Sequence, residues 1–183
     1  MDAAERLKSE LAQEVEVLER KRAHWQRMVQ QHGYEGALTN AAGRELWEQV
    51  RRLSGPAETV LEQLRGGDAS AVPWAIAFLE ADPWFFRSGY MKGNYARLLR
   101  RYELDQNQRE RLRAAILNNL HKGGRLEFGE IRRLARRLDT PAFRTRLSKF
   151  LDHPDPGTGE RAQLLLASCA INDQPGRDLR IER

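Results

Sequence analysis

Apolar positions recur along this chain at three- and four-residue spacing, the period of one side of a helix, and no stretch alternates convincingly as a half-buried strand would. Residues 2 to 32 contain neither glycine nor proline. Within them Leu11, Val15, Leu18, Arg22, Trp25, Val29 and His32 follow a 4-3-4-3 spacing, the seam of a coiled coil or helical hairpin, interrupted once by Arg22. So narrow a stripe on so long a helix needs a partner. Gly33 and Gly36 close it, and Thr39 or Asn40 caps a second helix that carries Leu46, Trp47, Val50 and Leu53. Ser54-Gly55-Pro56 reads as punctuation, followed by a short third helix over Ala57 to Arg65 with Val60, Leu61 and Leu64 inward. An antiparallel hairpin is the economical arrangement, and self-association through the first helix is its competitor.

Gly66-Gly67-Asp68 reads as a joint between two parts or as an ordinary tight loop. Beyond it helix starts recur. Ser70 precedes a helix over about 71–81 with Trp74, Ala77 and Phe78 apolar, which Asp82-Pro83 stops. Asp105 and Gln108 have the form of a capping box ahead of Leu112, Ala115, Ile116 and Leu120. Thr140-Pro141 is an N-cap with proline at the first helical position, ahead of Phe143, Leu147, Phe150 and Leu151. These starts, near 71, 106 and 141, are 35 residues apart, and each is followed by a second helix, over about 90–102, 126–138 and 158–170. Leu99-Arg100-Arg101-Tyr102 is echoed 36 residues later by Ala135-Arg136-Arg137-Leu138. A period of this size marks stacked helical hairpins, each burying its stripe against its neighbours. Trp84, Phe85 and Phe86, ahead of one of these helices, read as a core plug, because clustered large aromatics are mostly buried, with an exposed docking surface as the competing reading.

With this spacing, and with Asp155-Pro156 ahead of Arg161-Ala162 inside DPGTGERAQLLLA, residues 72–170 resemble the HEAT-type α-helical repeat proteins. The resemblance implies binding along a concave surface. The expected fold is therefore all-α: an N-terminal helical hairpin or assembly arm over 1–66, a HEAT-like stack of about three helical pairs over 67–171, and a flexible polar tail over 172–183.

Of the 183 residues 31% are charged and 40% hydrophobic, which fits a folded chain. No apolar run reaches the roughly 18 residues of a membrane span. The opening MDAAERLKSELAQE lacks the basic and then apolar order of a secretory signal, and Cys169, the single cysteine, sits in the apolar run LLLASCA as a buried inert thiol. The cytoplasm is the expected compartment. No phosphate-binding loop or HExxH motif is present, and Asp152-His153-Pro154-Asp155 reads as turn chemistry, so no cofactor or metal is expected.

Charge changes the picture most. Residues 84–151 hold seventeen Lys and Arg against six Asp and Glu, a local +11 in a chain of net +5. On the helix 126–138, Arg132, Arg133, Arg136 and Arg137 spread opposite Phe128, Ile131, Leu134, Ala135 and Leu138. If second helices stand side by side, Arg97, Arg100 and Arg101 join them, and Arg144, Arg146 and Lys149 extend the band. Arginine's planar, always-charged fork suits carboxylate and phosphate. The expected function is a non-enzymatic interaction module, an adaptor or complex subunit, that binds an anionic protein surface through this face. Nucleic-acid backbone is the competing partner. The HEAT resemblance also implies a third reading, an enzyme processing damaged DNA bases, with Trp74, Trp84, Tyr90 and Asp82 cast in that role by analogy.

Overall fold

Four of the described helix starts are fixed by side chains that satisfy free amides of the first turn. Asn40 Oδ1 accepts from the Gly43 amide at 3.0 Å. Asp105 and Gln108 form the reciprocal capping box, at 2.8 and 3.1 Å. Thr140 Oγ1 accepts from the Phe143 amide at 3.1 Å, and Asp155 Oδ2 from the Thr158 amide at 2.9 Å. The resulting elements, in a computed structural model that describes residues 3–122 and 127–170, are α1 (Ala3–Thr39), α2 (Ala41–Arg65), α3 (Val72–Ala81), α4 (Ser88–Leu99), α5 (Gln106–Asn118), α6 (Phe128–Arg137), α7 (Pro141–Ser148) and α8 (Pro156–Ala170). A 3-10 turn, Ala69–Ala71, leads into α3, and there is no strand among the described residues. The expected tail over 172–183 lies outside the described residues.

One expectation fails inside α2. Ser54-Gly55-Pro56 does not end the helix, which runs on to Arg65 with Pro56 in its interior. The proline ring faces solvent, and its missing amide costs one bond to the Arg52 carbonyl, an effect of about 3 kcal/mol. Against that, Leu53, Ala57, Val60, Leu61 and Leu64 are all buried on one stripe. Each large side chain among them contributes about 1.5–3 kcal/mol, so continuity wins.

The helices pack in two successions. α1, α3, α5 and α7 lie each against the next, α2, α4, α6 and α8 do the same, and each odd helix also packs on the even helix that follows it. Side-chain ties record the register. The Tyr95 and Tyr102 hydroxyls donate to the Ala57 and Leu64 carbonyls, each 38 residues earlier, so α2 and α4 run parallel. Comparable steps link Arg111 to Glu80, 31 residues, and Arg132 to Ser168, 36 residues. One apolar cluster runs from Leu11 and Leu18 through Phe78, Tyr95 and Leu134 to Cys169, which is fully buried.

The first hairpin is taller than those behind it. α1 spans 37 residues with a break at Gly33, whose φ of 75° and ψ of 168° are not helical, and α2 has 25, whereas α3 and α4 have 10 and 12. On the Tyr95–Ala57 register the start of α4 is level with Val50, so residues 41–49 overhang it by roughly 13 Å at 1.5 Å per residue. The seam of α1 fades accordingly. Leu11, Val15 and Leu18 are buried, Trp25 and Val29 half-buried, and His32 exposed.

Candidate functional site

α4 and α6 stand side by side, and the sequence divides α6 sharply: Leu134, Ala135 and Leu138 are buried, Arg132 and Arg136 half-buried, Arg133 and Arg137 exposed. The two helices bring their arginines together around Glu130. This carboxylate takes Arg100 from α4 at 2.8 Å and Arg133 from α6 at 2.5 Å. Arg137 reaches Glu103 at 3.5 Å, Arg97 donates to Asn94 Oδ1 at 2.9 Å, and Arg101 is exposed. Arg132 donates to the Ser168 hydroxyl on α8 at 3.0 Å. Crowding is felt at Arg100, whose guanidinium is held below its ordinary value first by burial; Arg133, Arg136 and Arg101 push the same way, and Glu130 opposes them.

The remaining three expected residues sit on α7 and at its C-cap, Lys149, and α7 packs against α5 and α8. Arg144 holds Asp139 with both arms of its fork, at 2.9 and 2.5 Å, and also reaches the Cys169 carbonyl at 3.3 Å. Arg146 approaches Glu110 of α5 at 3.9 Å, and Lys149 is exposed.

A second feature lies where the tall hairpin overhangs α4. Phe85 is buried, as expected of a core plug, but Trp84 and Phe86 are not: they are 55% and 74% exposed, and Tyr90 is 62% exposed. With Phe85 turned inward, its two neighbours project outward into a cleft of about 990 Å³ whose other walls include Trp25 of α1 and Trp47 of α2. The loop that presents them is held from both ends. Asp82 and Arg87, which bracket it, adopt left-handed backbone conformations with φ of 49° and 69°. The Phe85 amide donates to Ser88 Oγ at 3.1 Å. Arg22, the residue that interrupts the α1 seam, lies 3.8 Å from the centroid of the Trp84 ring. That distance is a cation–π contact.

Beneath this loop Asp82 is buried between two lysines, Lys92 at 2.7 Å and Lys122 at 2.8 Å. Trp74 packs inside against Phe78 and Tyr95. Of the four residues that analogy assigned to base chemistry, only Trp84 and Tyr90 line the cleft. Among the described residues no three His, Cys, Asp or Glu side chains converge as metal ligands, and Asp155 acts as the cap of α8, with Thr158 and then Arg161 among the contacts that keep its carboxyl below the usual range. No described helix is long and apolar enough to cross a membrane.

No protein-family model, curated protein or solved structure matches this chain significantly.

Proposed function

We propose that this protein is a non-enzymatic interaction module, an adaptor or complex subunit, that engages an anionic partner through the arginine face of α4 and α6. The supporting observation is an imbalance of charge. α6 alone carries four arginines against one glutamate, and that glutamate is shared with Arg100 of α4. Ion pairing orients guanidiniums without removing their excess, and a field of one sign along adjacent helices attracts polyanions. In the same reading the three hairpins behind the first form a short HEAT-type stack. The register of about 30 to 38 residues between like helices supports it.

The test is a titration of the full chain with inorganic polyphosphate at about 50 and about 200 mM salt, the range over which multi-contact phosphate binding weakens by orders of magnitude. Binding that falls steeply with salt, and that is lost in Arg97→Glu/Arg101→Glu/Arg133→Glu with an unchanged helical circular-dichroism spectrum, supports the module. Absence of binding at the lower salt removes it.

A further inference from the structure

The aromatic cleft and the arginine face are two ends of one stripe on α4. Tyr90, Asn94, Arg97 and Arg101 succeed one another at spacings of four, three and four residues, which keeps them on one side of the helix and its final turn. Tyr90, Arg97 and Arg101 are exposed along it. At the upper end Trp84, Phe86 and Tyr90 stand open, with Arg22 stacked on Trp84 and Arg87 beside Phe86. At the lower end lie the guanidiniums gathered around Glu130.

Carboxylates alone would serve the lower end only, since they do not fill a cleft walled by indole and phenyl rings. An unpaired nucleic-acid strand supplies both chemistries, phosphates for arginine and flat bases for the rings. A duplex keeps its base faces stacked inside and offers the cleft nothing.

We propose that the cleft takes unpaired bases of a single-stranded nucleic acid whose phosphates follow the α4 stripe onto the arginine face. This rests on the reading of that face as a polyanion site and adds the class of ligand. Stacking on aromatic side chains beside a cationic track is sequence-tolerant, because every base has a π-face. Trp84 keeps more than half its surface exposed while Arg22 covers part of it, so a base can complete a guanidinium–indole–base stack. The loop is already held by the burial of Phe85 and by the Asp82–Lys92 pair, so little ordering is left for the ligand to impose.

The experiment compares three probes on the full chain by fluorescence anisotropy or competition: a fluorescein-labelled oligothymidylate of about sixteen nucleotides, a duplex of equal length, and inorganic polyphosphate. The strand should bind tighter than either competitor and quench tryptophan emission. Trp84→Ala/Phe86→Ala should weaken strand binding at least about tenfold, in line with the measured worth of base stacking, and leave polyphosphate binding unchanged. Tyr90→Ala, at a separate exposed position, should weaken the strand in the same selective way. A strand that binds no tighter than polyphosphate, or aromatic variants that bind it as wild type does, overturns the inference while the arginine face stands. Failure of all three probes at low salt overturns the arginine face itself.

Discussion

Lys92 Nζ lies 2.7 Å from Asp82 Oδ1 with both side chains only 3% exposed, and this pair pins the base of the loop that projects Trp84 and Phe86. Removing one member of a buried pair leaves the other charge without its counter-ion and costs about 3–5 kcal/mol. Asp82→Asn isolates that effect, because asparagine tolerates the left-handed backbone at this position. Urea denaturation should show a loss of that size. Lys122→Met, which removes the 37%-exposed second lysine, should cost less than about 1 kcal/mol. Equal losses in the two variants would mean that Lys92 is not desolvated in solution.

Alkaline stability should depend on Tyr95. Its hydroxyl donates to the Ala57 carbonyl, and burial, followed by the charge of Glu58, pushes the phenol above its ordinary value. A group with a raised folded pKa contributes stability that is complete below its unfolded value, about 10, and is lost as pH rises beyond it. The urea midpoint of the wild type should therefore hold steady to about pH 9.5 and fall above that. Tyr95→Phe should cost about 1 kcal/mol at neutral pH and make the alkaline fall shallower. Some slope should persist, since burial raises Tyr102 as well. An unaltered slope would show that Tyr95 ionises without unfolding.

The two faces of α6 should separate stability from binding. Leu134 is fully buried, and its truncation to alanine should cost about 2–5 kcal/mol in a denaturation experiment. Arg133 is 56% exposed, and Arg133→Ala should stay within about 0.5 kcal/mol of wild type while weakening polyphosphate capture. A large stability loss in Arg133→Ala would recast its pairing with Glu130 as structural.

Features decided within a few residues were legible in the sequence. Asn40, Asp105 with Gln108, and Thr140 with Pro141 all cap the helices they precede, because the bonds involved span at most three residues. The polar side of α6 was legible for the same reason, through helical periodicity. Features decided by neighbours distant in sequence were not. Pro56 is a breaker by its own chemistry, and only the buried stripe on the opposite side of α2, Leu53 and Leu61 among it, carries the helix through it. The exposure of Trp84 and Phe86 depends on how far the first hairpin overtops α4, a height difference that no local pattern contains. Arg22 stood out as a break in the α1 seam, but its stacking partner Trp84 comes from another hairpin. Likewise the Ser168 hydroxyl that receives Arg132 lies 36 residues on, a partner supplied by the stacking of α8 on α6.

Two alanine substitutions inside helices should move stability in opposite directions. Pro56→Ala restores an amide that can donate to the Arg52 carbonyl at an exposed position of α2. The gain should be about 1–3 kcal/mol, less than the full helix-propensity difference because proline also restricts the unfolded chain. Gly159 lies in α8 without a positive φ, so propensity alone would favour alanine there by about 1 kcal/mol. A Cβ at that position, however, would stand 2.7 Å from the Leu151 carbonyl oxygen, a backbone atom that cannot rotate away. Relief requires α8 to lift from the turn after α7, and overpacking of this kind costs about 1–3 kcal/mol. Thermal denaturation should thus raise the midpoint of Pro56→Ala and lower that of Gly159→Ala. A rise in the second would mean that α8 sits farther from Leu151 than the close approach at Gly159 requires.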